Sequence, residues 1–429
     1  MGGYFMIWVM IAGFFLMMFL GVPIAFAMGA AALAFFLAKD IPLLMATQRF
    51  FSNTQSFPFL AVPFFILCGN LMVQGGIAKR IIRFADSLVR QLPGGLGLVS
   101  VVTSMLMAGV SGSSVADAAG TGSILIPSMK EKGYDSSFSC AINASTSVVG
   151  IIIPPSSTMV ILGWIANLSI AKLFLGGAIP GIFISIIYFI ITIYIAKKRG
   201  YPREKAASAR EILSSIKDSF WALILPLFII GGVTMGIATV TEIAAASAVY
   251  ALVISILFYR SLNWQKIFVA LKDTVVATSV VMFIVCCSNM FTWILIRERI
   301  PQMISSAILH FNIPGGLTLL FMVLIMLVAG MFIELVPNLF LFVPIFFPIA
   351  QQIGVAPNHF GVLMIVTLAL GLFTPPVGTT LFISCHLAKI GIEDTYKDLF
   401  PFFLGGAIIV LLTAYIPSLT MWLPSLLLK

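Results

Sequence analysis

Long apolar runs leave this chain only one solvent in which to fold. They fall at about 4–20, 22–38, 58–75, 95–129, 137–170, 174–196, 219–239, 243–259, 274–295, 315–350, 360–388 and 400–424. A helix needs about 20 apolar residues to cross the hydrocarbon of a bilayer, so a chain of 429 residues patterned in this way allows roughly ten to thirteen spans. Only 9% of the residues are charged, against about a quarter in a soluble domain, which excludes a soluble enzyme or a DNA-binding protein. The net charge of +9 therefore reads as loop charge placed relative to a bilayer, and no nucleic-acid partner is expected. The first run, Tyr4 to Leu20, has neither a basic flank nor a small-residue cleavage site and reads as a retained helix. Cys68, Cys140, Cys286, Cys287 and Cys385 all lie inside apolar runs without C-x-x-C spacing, so they read as packing residues.

The longest polar stretch, Lys197 to Ser219, is rich in Lys and Arg and is assigned to the cytoplasm by the positive-inside rule. The 95–129 run is too long for one span, yet bases flank it on both sides: Lys79, Arg80, Arg83 and Arg90 before it, Lys130 and Lys132 after it. A segment that enters and leaves on one side is a re-entrant hairpin, with its tip expected at Ser111-Gly112-Ser113-Ser114. With a matching hairpin at 315–350 opening outward, 18 of the 24 Lys and Arg lie inside, and Lys39, Arg49, Lys172, Arg297, Arg299 and Lys429 lie outside. Amphipathic stretches Ile77 to Leu92 and Ile300 to Phe311 precede the hairpins and read as helices in the membrane interface, against lipid.

A shift of 221 residues superimposes one part of the sequence on another. Pro93-Gly94-Gly95-Leu96 falls on Pro314-Gly315-Gly316-Leu317, Ala108-Gly109 on Ala329-Gly330, Gly150 on Gly371, and Pro154-Pro155 on Pro375-Pro376. Without a gap, 20 of the 88 positions from 93 to 180 are identical, and every proline in that window meets a proline. Five runs lie between the two hairpins. Five is odd, so the second copy is expected upside down, as in secondary transporters built from inverted repeats with broken helices. The expected fold has about ten transmembrane helices plus two re-entrant hairpins. Residues 1–57 form N-terminal scaffold helices. Repeat 1 covers 58–200 (arm 77–92, hairpin 93–130, broken helix 137–170). A linker at 201–218 and scaffold helices at 219–273 precede repeat 2 at 274–429 (arm 300–311, hairpin 314–352, broken helix 360–388).

Inside lipid, irregular backbone survives only where it lines a cavity or binds something. Proline removes its own N–H and crowds the carbonyl four residues earlier, so Pro154 frees the carbonyl of Gly150, and Pro375 that of Gly371. Ser156, Thr158, Thr374 and Thr379 add hydroxyls beside these breaks. The hairpin tips, Gly109 to Ser114 and Gly330 to Glu334, expose the unpaired groups of opposed helix ends. A hard cation such as Na⁺ prefers such oxygens. One Na⁺ site per copy is expected: Gly109, Ser111, Gly150 and Ser156 in the first, and Gly330, Gly371, Thr374 and Val377 in the second, mostly through backbone oxygens. The bland alternative is that the Pro-Pro pairs are kinks and the glycines serve close helix packing.

Asp117 and Glu334 are acidic residues just past the tips, where charge at membrane depth points to function. Their counterparts in the other copy are Asn338 and Ser113, so charge is asymmetric on a symmetric scaffold, as suits a substrate bound once. Arg297, at the outer end of the 274–295 run, reads equally as a carboxylate clamp or as an interface anchor. Asn289 completes the candidate substrate set of Arg297, Glu334, Ser113, Asn289 and Asp117, with Glu242 read as a helix-boundary residue.

The run Val110-Ser-Gly-Ser-Ser-Val-Ala-Asp117, with Ile126-Pro127, Lys132-Gly133-Tyr134, Ile153-Pro-Pro-Ser156 and Gly371-Leu-Phe-Thr-Pro-Pro-Val-Gly378, resembles the large membrane subunit of tripartite ATP-independent periplasmic (TRAP) transporters. The resemblance spans essentially the whole chain. It implies a Na⁺-coupled, elevator-type importer of a carboxylate-bearing small molecule in a bacterial or archaeal inner membrane. It further implies a separate small four-helix membrane subunit and a periplasmic substrate-binding protein as partners. It places Arg297 and the acidic residue after the second tip in the substrate site. That residue is Glu334 here, where some sialic-acid members carry Asp, so sialic acid and C4-dicarboxylates both stay open. Two other readings compete: a stand-alone Na⁺/dicarboxylate carrier, and an intramembrane serine protease built on Gly109-Val-Ser111-Gly112 with His386 as base. The protease reading gives no reason for a second copy that has Phe332 in place of the serine.

Overall fold

The computed structural model describes residues 2–52, 57–310 and 313–428, and every regular element among them is a helix. The chain opens with α1 (Gly2–Phe19), α2 (Ile24–Ala38) and α3 (Leu43–Phe51). The first copy follows: α4 (Ala61–Gln74), the arm α5 (Ile77–Val89), the hairpin α6 (Gly95–Ser111) and α7 (Ser114–Glu131), and the broken helix α8 (Ser136–Ser147), α9 (Val149–Ile152) and α10 (Ser157–Ile165). A long helix, α11 (Ile170–Arg199), closes it. Then come α12 (Ala209–Thr234), α13 (Val240–Val253) and α14 (Trp264–Arg297). The same order recurs in the second copy: the arm α15 (Ile300–His310), the hairpin α16 (Gly315–Phe332) and α17 (Leu335–Gln352), the broken helix α18 (Pro357–Gly371) and α19 (Thr379–Ala388), α20 (Tyr396–Tyr415) and α21 (Ser418–Leu427).

Seven of these helices are long and apolar enough to cross a membrane, or up to nine if each of two bent pairs counts as one span. The bends are 70° between α4 and α5 and 49° between α8–α9 and α10. That count rests on length and composition and includes both helices of the second hairpin, which the expected ten full spans leave out. Several apolar runs form helices that stop early, such as Ile24–Ala38 and Pro357–Gly371, bounded by a proline or by the Pro-Pro break. At about 1.5 Å per residue each of these covers only part of the hydrocarbon.

Packing sorts the helices into two groups. In one, α4 lies along α13 and α14, α14 lies along α2, and α12 joins α13 and α5. In the other, α7, α8 and α19 form a tight trio, α16 lies along α18, and α11 braces α18, α20 and α21. The groups meet most extensively where the arm α5 lies along α6, and also where α4 touches α6 and α10 and where α14 touches α17. Helix starts are set by capping side chains. Glu242 pairs with Thr239 in a capping box, as does Glu211 with Ser208, which gives Glu242 a structural role at the start of α13. All five cysteines are free and buried, with Cys140 Sγ and Cys385 Sγ 3.2 Å apart between α8 and α19.

One charged cluster closes an end of the second group. Arg199, at the end of α11, is paired with the buried carboxylate of Asp398 and with Asp135, 2.8 Å away. Ser137 Oγ donates to Asp398 and Tyr201 Oη donates to Asp135. The cluster ties α8, α11 and α20 together across both copies. The glycines at the heart of each copy work by absence of a side chain. A Cβ on Gly371 would meet the backbone of Gly330, with the Gly330 carbonyl oxygen at 2.9 Å, so α18 touches α16 backbone to backbone. By contrast, a Cβ on Gly13 meets nothing within 4 Å.

Gly371→Ala is therefore expected to destabilise the purified protein by about 1–3 kcal/mol, the usual cost of overpacking, while Gly13→Ala leaves thermal unfolding in detergent unchanged. Arg199→Ala strands the Asp398 carboxylate and is expected to cost about 1.5–3 kcal/mol in the same assay, the range for hydrogen bonds to charged groups. A melting curve equal to wild type for either Gly371→Ala or Arg199→Ala would contradict that packing.

Candidate functional site

Both hairpin tips and both proline breaks converge on one cavity of about 490 Å³. The first copy contributes Gly112 to Ala116 from its tip and Ser157 and Thr158 from its break. The second contributes Glu334 to Val336 and Leu372 and Thr379. The facing wall belongs to the other helix group, with Asn70 from α4 and Asp273 from α14. The tip of the first hairpin is formed by Gly112 and Ser113. Gly112 is left-handed at φ +57°, a conformation that favours glycine, and Ser113 caps α7 by accepting from the Ala116 N–H.

In each copy the tip is stitched to the break. In the first, Ser157 Oγ donates to the Gly112 carbonyl at 2.9 Å, and the built Cβ position of Gly112 lies 3.2 Å from Ser157 N. In the second, the Gly378 N–H donates to the Met331 carbonyl at 3.0 Å. Both Pro-Pro peptides, Pro154-Pro155 and Pro375-Pro376, are cis. Ser156 and Thr158 hydroxyls hydrogen-bond at 2.7 Å, while Thr374 Oγ1 donates to the Leu370 carbonyl at 2.6 Å.

The copies differ in what fills the tip–break junction. Gly150 lies against the Asp117 carboxylate, which occupies the space a Cβ would take, and Asp117 is buried. At the equivalent place Gly371 lies directly on Gly330, and Asn338, the counterpart of Asp117, turns its Nδ2 to the Ile333 carbonyl at 2.9 Å. The Asn338 Oδ1 and Thr379 Oγ1 atoms are buried without a hydrogen-bond partner among the described residues, two spare oxygens beside the second tip.

The expected cation ligands are thus distributed unevenly. Gly330, Gly371 and Thr374 come together, whereas Val377 is exposed at 40%. Gly150 and Ser156 flank the first break and are buried, but Gly109 faces away from it, packed on the ring of Pro226 in α12. The side chain of Ser111 lies outside the described residues. Of the expected substrate residues, Ser113 and Glu334 line the cavity and Asp117 stands behind it. Asn289 and Arg297 lie further along α14, and Arg297 sits 5.1 Å over the Trp293 ring. Sequence reasoning passed over Asn70, Asp273 and Asn143. Asn143 donates to the Ala118 carbonyl and to Ser384 Oγ and accepts from Thr121, so it joins α7, α8 and α19. An amide inside the first two turns of the 137–170 run was the available signal. Among the described residues no group of three His, Cys, Asp or Glu is placed to hold a metal ion.

Comparison with known proteins agrees with this architecture. The fold is similar to that of the YdaH transporter of Alcanivorax borkumensis (TM-score 0.64, 13% identity, 91% of this chain and 90% of that one), a likeness of fold alone. In sequence, the chain is 38% identical to the sialic acid TRAP transporter large permease SiaM of Vibrio cholerae, covering 97% of this chain and 98% of that protein. It is 36% identical to the C4-dicarboxylate TRAP transporter large permease DctM of the same species, covering 96% of each. These relatives are permeases, which removes the serine-protease reading of Gly109 to Gly112. The model of the DctM component of the tripartite ATP-independent periplasmic transporters matches residues 11–419, and the chain belongs to that family.

Proposed function

We propose that this chain moves an organic anion of the sialic-acid or C4-dicarboxylate type into the cell, driven by co-transported Na⁺. The observation that carries this reading is the convergence of two tips and two proline breaks on one cavity. Breaks and tips supply the oxygens a hard cation needs, and the cavity between them is of a size for a small organic molecule. The spare oxygens of Asn338 and Thr379 add donors for a cation at the second junction. Near-equal identity to a sialic acid permease and to a dicarboxylate permease supports the anion class and leaves both members of it open.

The family works as a tripartite system, which implies a small membrane subunit and a periplasmic binding protein as partners. In the proposed cycle that binding protein delivers substrate at the outer face of a bacterial or archaeal inner membrane. Na⁺ rigidifies each tip–break junction, the anion binds between the tips, and the hairpin-bearing group slides against the wall of α4, α13 and α14 as an elevator. The duplicated order of arm, hairpin and broken helix supports this reading, because inverted copies exchange their conformations as access alternates.

In proteoliposomes containing this chain and its small subunit, uptake of labelled sialic acid or succinate is expected to require both an inward Na⁺ gradient and the binding protein. Uptake on a Na⁺ gradient alone would instead make the chain a stand-alone carrier. Ser156→Ala combined with Thr374→Ala is expected to raise the half-saturating Na⁺ concentration about tenfold, as for the loss of about 1.4 kcal/mol of cation binding. An unchanged Na⁺ dependence would remove both hydroxyls from the proposed sites.

A further inference from the structure

The long helix α14 places Asp273 in the cavity wall near one end and Arg297 at the other, with Lys266 and Lys272 near Asp273 but outside the cavity lining. Asp273 is exposed and lines the cavity beside Asn70, with Glu334 among the residues of the opposite, hairpin-bearing wall. Among the described residues that line it there is no Lys, Arg or His. Asn70 donates one amide N–H to Thr274 Oγ1 at 2.9 Å. From Asp273 to Arg297 the helix runs roughly 36 Å at 1.5 Å per residue. At that far end Arg297 and Arg49 both lie over the ring of Trp293, at 5.1 and 5.3 Å.

The Asp273 end is the cytoplasmic one. The turn before α14 is fastened to the end of α4 by Ser261 Oγ, which donates to the Gly75 carbonyl at 2.7 Å. Arg80 of the basic arm donates to the same carbonyl and stacks 4.0 Å over Tyr259. That arm carries Arg83, paired with Asp218, and Arg90, paired with Glu211, and so belongs to the most basic face of the protein. By the positive-inside rule the cavity therefore lies toward the cytoplasm.

We propose that Asp273 is a release residue: a fixed carboxylate on the stationary wall that lowers the affinity for the organic anion only when the site faces the cytoplasm. This rests on the anion-import reading above. Glu334 is carried on the hairpin and accompanies the substrate in both states, so it adds no difference between them. Asp273 meets the substrate only inside, and the arginines at the opposite end of α14 meet it only outside. The Asp273 carboxylate in the cavity wall therefore makes rebinding at the inner face weaker than capture at the outer one, through screened interactions across a wet cavity. Lys272, next in the chain, is turned about 100° round the helix and does not line the cavity.

The test uses the complete transporter, with its small subunit and binding protein, in proteoliposomes of known orientation, and labelled sialic acid and succinate as probes. Asp273→Asn is expected to lower the internal KM for whichever probe is carried by about three- to tenfold, with the external KM unchanged. Asp273→Lys should extend the same shift, and Asp273→Glu should keep the wild-type asymmetry. Normal wild-type uptake with an internal KM unmoved in both Asp273→Asn and Asp273→Lys overturns the proposal alone, as does an equal shift on both sides. Failure of the wild-type complex to carry either anion overturns the import reading, and the role of Asp273 with it.

Discussion

Backbone that leaves a helix inside an apolar bundle must find its hydrogen bonds across a contact, and here it finds them where a hairpin tip meets a proline break. Ser157 on Gly112 and Gly378 on Met331 are the two closures. Each brings together four helix ends, and each depends on glycine. Gly371 allows backbone to touch backbone at Gly330, and Gly150 leaves room for Asp117. The cavity and the split between a hairpin-bearing group and a facing wall of helices both follow from these closures.

The two junctions share a plan and differ in content. The first has a buried carboxylate at its centre, and the second has bare backbone with a spare amide and hydroxyl oxygen nearby. A duplicated scaffold can hold two similar cations, but one substrate requires asymmetric chemistry. The copies differ in charge at two equivalent positions, Asp117 against Asn338 and Ser113 against Glu334. Links between the copies keep the junctions in register. Thr380 Oγ1 reaches the Ala144 carbonyl at 3.1 Å, and Asn143 holds Ser384 at 2.8 Å. The two broken helices thereby share a single hydrogen-bonded core.

Much of this was legible in the sequence because proline and glycine act locally. Pro93-Gly94 and Pro314-Gly315 announce the hairpins within a residue or two of where α6 and α16 begin, and Pro154 and Pro375 mark the breaks. The tip expected at Ser111 to Ser114 is the turn of Gly112 and Ser113. What the shift of 221 residues does not carry is neighbourhood. It equates Gly109 with Gly330, yet one glycine packs on Pro226 of a neighbouring helix group and the other on its own broken helix. A run's apolar length likewise does not say where its helix stops, as in Ile24–Ala38 and Pro357–Gly371.

The sequence by itself determined that the chain folds in a membrane, that it is a TRAP-type permease, and that its irregular backbone occurs twice at matched places. Those properties depend on composition and on residues acting within a turn of themselves. Only the tertiary structure decided which charges face the cavity. Arg297 and Asp273 stand on one helix about 36 Å apart, and which of them meets the tips depends on how two rigid groups sit against each other. Asn143 likewise acquires its role from three helices distant in sequence. Contacts of that kind are set by packing between surfaces, which no local pattern encodes.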